Sequence, residues 1–301
     1  MSSITKVALV GAKGNLGEAV LDAVLNAGFQ VTALTRQGST QTFPSGVTVK
    51  QVDYDSIDTL VDALKGQDAV VSTIGSAAIG KQIPLIEASA KVGVKRFITS
   101  EFGSNTFSPK VSVLPSYKDK IEVTDAAKKA AAESGLTWTA VVNGPFLDWG
   151  LSVGFLVNVK ERTVELPDGG DNQFSTTTLP TIGKAVVGIL KHPEETKNRP
   201  VYIQDTVLTQ KKLLELVKKA VGADGWKENV TSLAEQLKAS YEEFKKPQPN
   251  IFLAVFPGIK TAVYGGPEYE TVFPKLDNDL LGIKQLTDAE VEAVVAKSVP
   301  K

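Results

Sequence analysis

Near the amino end of the chain, a short apolar run leads directly into three evenly spaced glycines. The run "KVALV" (6–10) is followed by "GAKGNLG", which places Gly11, Gly14 and Gly17 in a G-x-x-G-x-x-G pattern. An amphipathic pattern then starts near Asn15. An apolar run that ends in glycines and continues as an amphipathic segment predicts a strand, a tight turn and a helix. This unit constrains the fold strongly, because strand–turn–helix units of this kind build parallel α/β sheets.

The predicted turn has the chemistry of an anion site. A helix that begins near Asn15 presents unpaired backbone N–H groups and the positive end of its dipole. Glycines leave room for a pyrophosphate and for close packing of helix on strand, although a purely structural turn could use one or two of them. The middle glycine of the commoner G-x-G-x-x-G form is replaced by Lys13. We predict a dinucleotide-binding turn made of Gly11, Lys13, Gly14, Asn15, Leu16 and Gly17.

The first half of the chain alternates short β-branched runs with amphipathic helical patterns, which is typical of βαβ units. Strands are predicted over 6–10, 30–34, 47–52, 68–73, 95–100 and 137–142, and helices over 15–27, 56–65, 80–92 and 117–134. The expected fold class is α/β, with a doubly wound, mostly parallel Rossmann-type sheet and a smaller, mainly helical substrate lobe.

The second half is less regular. A helix is predicted over 178–192, a late strand over 200–204, and mainly helices from Thr209 onward. The last helix should open with a capping box from Thr287 to Glu290. The sequence thus predicts a dinucleotide-binding domain over 1–150, to which 175–206 returns, and a substrate-binding lobe made of 151–174 and 207–301.

The end of the second predicted strand indicates which coenzyme would bind. NAD-binding versions of this fold place a carboxylate about 20 residues after the glycines, where it accepts hydrogen bonds from the ribose. Here that segment reads "ALTRQGST", which has no carboxylate and places Arg36 at this point. A guanidinium would pair with a 2′-phosphate, so we expect NADPH. Lys13 could add charge, and the alternative for Arg36 is a solvated surface side chain.

Two further strand ends should lie beside the same coenzyme. "VDYD" follows the third strand, so Asp53 and Tyr54 are candidate neighbours of the adenine. "STIGS" ends the fourth strand, and the backbone from Thr73 through Ile74 to Gly75 could run along the coenzyme. This expectation follows because ligands collect at the carboxyl ends of parallel strands.

A reaction site should lie on the same sheet edge. "ITSEFG" ends the fifth strand, "PSYKDKIEV" begins the next helix, and "VVNGPF" ends the sixth strand. Hydride transfer requires a proton donor or a positive charge near the reacting group. Lys110, Lys118 and Lys120 are candidates, each with a solvated surface charge as the alternative. Tyr117 precedes Lys120 by three residues, one fewer than the Y-x-x-x-K spacing of short-chain dehydrogenases, which weakens its case as the proton donor.

Taken together, these motifs resemble the NmrA-like branch of atypical short-chain dehydrogenases, which includes isoflavone reductase-like proteins. The resemblance spans nearly the whole chain. It is carried by "GAKGNLG", "TR" (35–36), "SEFG" (100–103), the segment from Lys120, "GLTWTAVVNGPFLDWGL" (135–151) and "TIGKAVVGIL" (181–190). It implies that Lys120 is the functional lysine and also contacts the coenzyme. It further implies coenzyme contacts from Ser100, Glu101, Phe102, Asn143, Pro145 and Phe146.

The resemblance also implies a function. It predicts a reductase that transfers a hydride from NADPH to a small, largely apolar or phenolic metabolite, with Lys120 as general acid or oxyanion stabiliser. The alternative is a non-catalytic NADP(H)-sensing regulatory protein, because the family contains both kinds. The segment 250–266 would form the substrate wall, although its apolar residues could equally be core packing.

Amino-acid composition narrows the classes of function and binding partner that remain. The formal net charge of −1 gives no overall attraction to nucleic acids or anionic membranes. The chain has no cysteine and one histidine, His192, so no metal site is expected. No apolar run approaches the length of a membrane span, and no signal peptide is evident. We expect a cytoplasmic protein, either monomer or homodimer, whose partner is a small-molecule substrate.

Overall fold

The computed structural model describes residues 3–300. Its strands are β1 (Lys6–Val10), β2 (Gln30–Arg36), β3 (Thr48–Val52), β4 (Ala69–Ser72), β5 (Arg96–Gly103), β6 (Thr137–Val142), β7 (Thr163–Pro167), β8 (Gln173–Thr176), β9 (Arg199–Tyr202), β10 (Thr206–Thr209) and β11 (Lys227–Thr231). Seven of them form one sheet in the order β3-β2-β1-β4-β5-β6-β9, and every neighbouring pair is parallel. The predicted α/β class and parallel sheet are confirmed.

Eleven α-helices lie within residues 3–300. They are α1 (Asn15–Asn26), α2 (Ile57–Leu64), α3 (Gln82–Lys91), α4 (Pro109–Ser112), α5 (Lys118–Glu133), α6 (Leu147–Ser152), α7 (Leu179–Lys191), α8 (Gln210–Val221), α9 (Leu233–Phe244), α10 (Ile251–Tyr264) and α11 (Asp288–Ser298). Short 3₁₀ turns lie at Ser76–Lys81, Pro115–Tyr117 and Pro267–Tyr269. Among residues 3–300, none of these helices is both long enough and apolar enough to span a bilayer.

Two apolar cores sandwich the sheet. On one face, α1 and α7 supply side chains such as Val20 and Ile182. On the other face, α2, α3 and α5 supply side chains such as Leu60, Leu85 and Val123. All four residues of β4 and all six of β6 are buried. Continuous burial explains why the central strands read as uninterrupted apolar runs, since strands covered on both faces have no solvent side.

The spatial order of the strands reverses between β1 and β4. The chain runs outward from β1 to β3 and then returns past β1 to build β4, β5 and β6 on the other side. In open α/β sheets the loops at such a reversal diverge and leave a crevice at the carboxyl ends of the strands. The glycine turn after β1 lies at this crevice.

A third apolar core lies outside the sheet. It combines side chains from α6, α8, α10 and α11, including Leu151, Leu213, Tyr264 and Val295. Two small sheets accompany it, with β8 antiparallel to β10 and β7 parallel to β11. The division of the chain into a dinucleotide-binding domain and a substrate lobe stays a prediction.

Sequence patterns located most elements but failed at specific points. The strand over 6–10 and the capping box at Thr287 and Glu290 are confirmed. The helix predicted over 80–92 instead begins as a 3₁₀ turn, and α3 starts at Gln82. The expectation of mainly helices after Thr209 missed β11. That strand has the polar sequence "KENVT", is mostly exposed, and exists because β7 pairs with it.

Candidate functional site

The glycine turn is held by contacts of the backbone with itself. Gly11 has φ of +78°, a left-handed conformation, and a Cβ on it would lie 2.7 Å from the Thr73 main-chain oxygen. The N–H of Gly14 donates to the Gly11 carbonyl at 2.9 Å. A Cβ on Gly17 would collide with that same carbonyl oxygen. Gly11 and Gly17 are therefore required for the turn to close, whether or not a ligand is present.

The amino end of α1 lacks a protein cap. Gly14 is the N-cap residue in extended conformation, and among residues 3–300 no side chain accepts a hydrogen bond from the first turn. The N–H of Glu18 is the one that reaches the Gly14 carbonyl, at 2.9 Å. Helix amino ends normally receive Ser, Thr, Asp or Asn caps, so an uncapped end leaves backbone donors for an anion. Asn15 is exposed, whereas the Leu16 side chain is buried in the core, so Leu16 offers a ligand only its backbone.

A cavity of about 630 Å³ opens at the carboxyl ends of β1 to β4; we call it the strand-end cavity. It is bounded by the glycine turn on one side and by Arg36 on another. Of the residues predicted to bind the coenzyme, it brings together Gly11, Lys13, Gly14, Arg36, Asp53, Tyr54, Ile74 and Gly75. Two lining residues that sequence reasoning missed, Gln37 and Asp55, directly follow the predicted Arg36 and Tyr54. Other missed lining residues include Gln41, Ala78 and Lys81.

The cations of the strand-end cavity differ in their partners. Lys81 forms an ion pair with Asp55. The Lys13 ammonium lies 3.4 Å from a Glu18 carboxylate oxygen and 5.5 Å from the Phe43 ring centre. Arg36 is exposed, and among residues 3–300 its guanidinium has no carboxylate partner. It is therefore the cation of this cavity that can pair with an added anion without breaking an existing contact.

Tyr54 forms part of the wall of the strand-end cavity. Its hydroxyl donates to the Leu34 carbonyl at 3.1 Å. Burial raises its pKa to about 12, against an opposing effect of the Arg36 charge, so the phenol stays protonated and neutral. The neighbouring Asp53 accepts a hydrogen bond from the Asp55 N–H at 2.9 Å and is exposed. That these two residues contact an adenine stays a prediction.

The residues that follow β4 contribute to the strand-end cavity more through their backbone than through their side chains. Both the N–H and the hydroxyl of Thr73 donate to the Val10 carbonyl, at 2.9 Å and 2.7 Å. These bonds tie β4 to β1 and turn the Thr73 side chain inward, away from the cavity lining. Ile74 and Gly75 do line the cavity, and a Cβ on Gly75 would meet nothing within 4 Å.

The three candidate lysines occupy different environments. Lys110 is exposed and pairs with Glu268 at 2.7 Å, and the Lys118 side chain is 75% exposed. The Lys120 side chain is only 19% exposed, and its ammonium donates to the main-chain oxygen of Glu101. Of these three lysines, Lys120 is therefore the one held against the carboxyl end of β5.

A buried carboxylate accompanies Lys120. The Glu101 side chain is 1% exposed, its Oε1 lies 3.8 Å from the Lys120 ammonium, and the Thr106 hydroxyl donates to the same oxygen at 2.7 Å. Glu101 was predicted to bind the coenzyme, but its carboxylate is enclosed by the protein. Its position serves to hold the Lys120 charge in place.

Burial raises the pKa of the Glu101 carboxyl above its ordinary value of 4.5, against the opposing effects of Lys120 and Thr106. The folded state therefore binds a proton more tightly than the unfolded state. The protonated Glu101 carboxyl therefore contributes to the unfolding free energy. This contribution is complete below about pH 4.5 and is lost as pH rises through the folded-state pKa of Glu101. In Glu101→Gln, which cannot titrate, we expect the unfolding free energy to decline less between pH 4.5 and neutral pH. Urea unfolding at several pH values measures this, and parallel profiles would contradict it.

Tyr117 is excluded from contact with solvent. Its hydroxyl donates to the Ser104 Oγ at 2.8 Å, and burial raises its pKa above the ordinary value of 10. The Lys120 ammonium lies 6.0 Å from its ring centre. The shortened Tyr–Lys spacing thus turns the phenol into the core, where it supports Ser104.

The remaining predicted residues lie at the ends of β5 and β6, outside the lining of the strand-end cavity. The Ser100 N–H donates to the Gln82 side-chain oxygen at 2.7 Å, and the Ser100 hydroxyl donates to the Ile74 carbonyl at 2.8 Å. Asn143 is fully buried and donates to the Gly144 carbonyl at 2.7 Å. The side-chain oxygen of Asn143 has no hydrogen-bond partner among the described residues. Beside them lie Phe102, which is 8% exposed, and the half-buried Pro145 and Phe146.

A second cavity, of about 460 Å³, is lined by residues of α6, β7, α8 and α10 and by the segment between α6 and β7; we call it the lobe cavity, after the lobe predicted from the sequence. The predicted substrate segment 250–266 contributes four residues to it from α10. The Phe146 ring, at the end of β6, meets the Trp149 ring edge-on with 6.1 Å between ring centres. Trp149 in turn lines the lobe cavity. Its lining comprises Trp149, Val153, Gly154, Phe155, Leu156, Asn158, Thr163, Val164, Glu165, Pro167, Gln210, Phe252, Phe256, Lys260 and Tyr264.

Comparison with known proteins gives consistent matches. The model of the NmrA-like family matches residues 3–244. The oxidoreductase aprR of Aspergillus flavus is 38% identical over 246 residues, which is 80% of this chain and 82% of the relative. The oxidoreductase poxI of Penicillium oxalicum is 31% identical over 297 residues, covering 94% of this chain and 91% of the relative.

A solved structure shares the fold. The complex of leucoanthocyanidin reductase with NADPH from Vitis vinifera superposes with a TM-score of 0.73 over 97% of this chain and 98% of that one. The two sequences are 22% identical. At this level of identity the match concerns the architecture alone, and it extends over nearly the whole chain.

Proposed function

Because the chain belongs to the NmrA-like family, we propose that it is an NADPH-dependent reductase acting on a small, largely apolar or phenolic metabolite. The relatives from Aspergillus flavus and Penicillium oxalicum are both named oxidoreductases. The leucoanthocyanidin reductase of similar fold was solved with NADPH bound. These names support a redox enzyme that uses a nicotinamide coenzyme.

The observation that carries the proposal is the strand-end cavity, which joins the uncapped end of α1 to Arg36. The backbone donors of Asn15, Leu16 and Gly17 would hold a pyrophosphate, since the Gly14 N–H is already used on the Gly11 carbonyl. Arg36, which has no carboxylate partner among the described residues, would hold a 2′-phosphate through charge-assisted hydrogen bonds. A cavity with both features fits NADPH better than NADH.

When bound, NADPH would supply a hydride to the substrate. The proposed part of Lys120 is to donate a proton to the substrate oxygen, or to stabilise negative charge there. One of its N–H groups is used on the Glu101 carbonyl, which leaves others for a ligand. Because its side chain is mostly buried, the ammonium acts where water screens its charge less than in bulk.

A coenzyme-consumption assay tests the reductase against a non-catalytic regulator that only senses NADP(H). The purified chain is mixed with NADPH and a panel of enones, quinones, aldehydes and benzylic ethers, and loss of the nicotinamide absorbance is followed. Turnover of at least one class is expected. Tight NADPH binding with no turnover across the whole panel would contradict the reductase and favour the regulator.

Replacing Arg36 with alanine should weaken NADPH binding about 10- to 100-fold, because a charge-assisted contact contributes about 1.5 to 3 kcal/mol. NADH binding should change little, since NADH lacks the extra phosphate. Calorimetric titration of both coenzymes measures the difference. Lys81→Ala is the matched control, because Lys81 lines the same cavity but is paired with Asp55. Equal losses for the two coenzymes in Arg36→Ala would show that Arg36 does not read the phosphate.

A further inference from the structure

We propose that the lobe cavity is a ligand site that selects uncharged aromatic molecules bearing a hydrogen-bonding oxygen and rejects aromatic carboxylates. The selecting residues are Lys260 and Glu165, which form an ion pair in the cavity wall. The inference rests on the proposed reductase function only in taking this ligand to be the substrate, and its binding test does not require turnover.

The shape and surface of the lobe cavity fit flat rings. Phe252 and Phe256 are stacked, with ring centres 4.2 Å apart, and Phe155 meets Phe256 edge-on at 6.0 Å. Trp149 and Tyr264 add further aromatic surface. Such walls favour aromatic ligands through stacking and edge contacts. The volume of about 460 Å³ lies in the range of ordinary small-molecule sites.

The mouth of the cavity is apolar as well. Phe252 and Val153 line the cavity and are still 60% and 54% exposed. Exposed apolar side chains gathered at one opening are typical of a site that receives an apolar ligand.

The negative member of the ion pair is fully engaged. One Glu165 oxygen accepts hydrogen bonds from the Thr231 hydroxyl at 2.9 Å and from Gln236, and the other accepts from Lys260. Burial raises the pKa of Glu165, but these hydrogen bonds outweigh it and hold the pKa below its ordinary value. Glu165 therefore stays charged and balances Lys260.

The positive member keeps capacity for a ligand. An ammonium has three N–H donors, and one of those on Lys260 is used on Glu165. Its side chain is 26% exposed. A carbonyl or phenol oxygen can accept one of the remaining N–H groups without adding charge. The Lys260 side chain thus gives an apolar site one directed polar contact.

Charge balance is what excludes carboxylates. Glu165 and Lys260 are the charged residues of the lining, and their charges cancel. A ligand carboxylate would lose its hydration and would gain attraction to Lys260 only against repulsion from Glu165. Burying a charge without net compensation is costly, whereas a neutral oxygen avoids most of that cost.

An unpartnered polar atom points to the same ligand chemistry. Gln210 lines the cavity and is 2% exposed, and its side-chain oxygen has no hydrogen-bond partner within the described part of the chain. Buried acceptors without partners are uncommon and costly. A ligand O–H could supply the missing donor, so a phenol matches both the Lys260 donor and the Gln210 acceptor.

A contact between two aromatic rings connects the lobe cavity to the segment that follows β6. Trp149, in its wall, contacts Phe146, which follows β6 by a few residues. The carboxyl end of β5, where Lys120 is held, is next to β6 in the sheet. The Phe146–Trp149 contact thus connects the cavity wall to the segment that follows β6, the strand next to β5 in the sheet.

Two matched probes test the inference: para-hydroxychalcone and para-carboxychalcone, which share the same two rings and differ in charge. Their binding to the full chain is measured by calorimetry without coenzyme. We expect the wild-type chain to bind the hydroxy probe at least about tenfold more tightly. Glu165→Gln leaves Lys260 unbalanced, so it should tighten carboxy-probe binding about tenfold and change hydroxy-probe binding little.

Three further variants show whether a change in probe binding comes from the ion pair or from a general disturbance of the structure. Lys260→Met should weaken the hydroxy probe about tenfold and still reject the carboxy probe. Phe256→Ala should weaken both probes alike. Glu268→Gln removes a carboxylate paired with a lysine outside this cavity, so it should change neither. If Glu165→Gln does not fold, the inference is tested with Lys260→Met alone. In that variant the hydroxy probe should bind more weakly while the carboxy probe is still rejected.

The outcomes separate this inference from the proposed function. Equal binding of the two probes, or no change in their ratio in Glu165→Gln, would overturn the lobe-cavity assignment. If the probe test fails in this way but the chain still oxidises NADPH, only the lobe-cavity assignment is wrong and the proposed reductase function is retained. If the probes bind selectively but no NADPH is oxidised, the lobe-cavity assignment is retained and the proposed reductase function is contradicted.

Discussion

Replacing Lys120 with alanine should lower kcat about 100- to 10,000-fold while leaving the Kd for NADPH nearly unchanged. A positioned proton donor typically accounts for a rate effect of this size. The strand-end cavity that would bind the coenzyme does not include Lys120, so coenzyme affinity should survive. Steady-state rates on a substrate found in the panel, together with calorimetric titration of NADPH, measure both quantities.

Lys118→Ala provides the control for this prediction. Lys118 starts the same helix, α5, but its side chain is 75% exposed and lies 3.8 Å from Glu122. Its removal should leave kcat within about twofold of the wild-type value, as is usual for an exposed pair. If Lys118→Ala and Lys120→Ala reduce the rate equally, or if neither does, the assignment of Lys120 is wrong.

The second large effect is expected from Gly17→Ala. The new Cβ would collide with the Gly11 carbonyl oxygen and lie 2.8 Å from the Gly11 carbonyl carbon, so the turn would have to open. Overpacking of this kind costs about 1 to 3 kcal/mol or more. For a chain of this size, each kcal/mol lowers Tm by about 2 to 4 °C. NADPH affinity should fall more than about tenfold, because the displaced backbone carries the proposed pyrophosphate donors.

Helix propensity cannot explain a loss in Gly17→Ala, because alanine is favoured over glycine inside a helix by about 1 kcal/mol. Gly80→Ala is the matched control. Gly80 lies in the 3₁₀ turn Ser76–Lys81, and a Cβ there meets nothing within 4 Å. Its Tm should be unchanged or slightly raised. A Gly17→Ala chain with wild-type Tm and NADPH affinity would show that the turn is looser than its geometry requires.

Local sequence was sufficient for the features whose causes are local. The run over 6–10 is a strand because it is apolar on both faces, and the turn after it needs glycines wherever it occurs. The placement of Arg36 at the end of β2 follows from counting along the chain, because strand length fixes where the strand ends. The physical reason for Gly17 was only partly predicted. The three atoms nearest to a Cβ on Gly17 belong to Gly11 and Ala12, so this glycine avoids a collision within the turn, whereas the sequence predicted close packing on the strand.

Other features depended on residues far apart in sequence. Residue types and spacing alone left three lysines within eleven positions as alternatives, and only the family resemblance selected Lys120. The fold buries Lys120 against Glu101 and leaves Lys110 and Lys118 exposed. No local pattern predicted β11, because its strand conformation comes from pairing with β7.

The amino-acid sequence by itself determined the parallel sheet, the glycine turn and the cation at the end of β2, since these follow from hydrophobic period, backbone sterics and position along the chain. Only the tertiary structure decided which lysine is shielded and which charges are balanced. Glu165 and Lys260 are separated by 95 residues and meet because β7 and α10 contribute to the same apolar core. Burial and charge pairing are properties of the packed chain, so sequence patterns of short range carry no record of them.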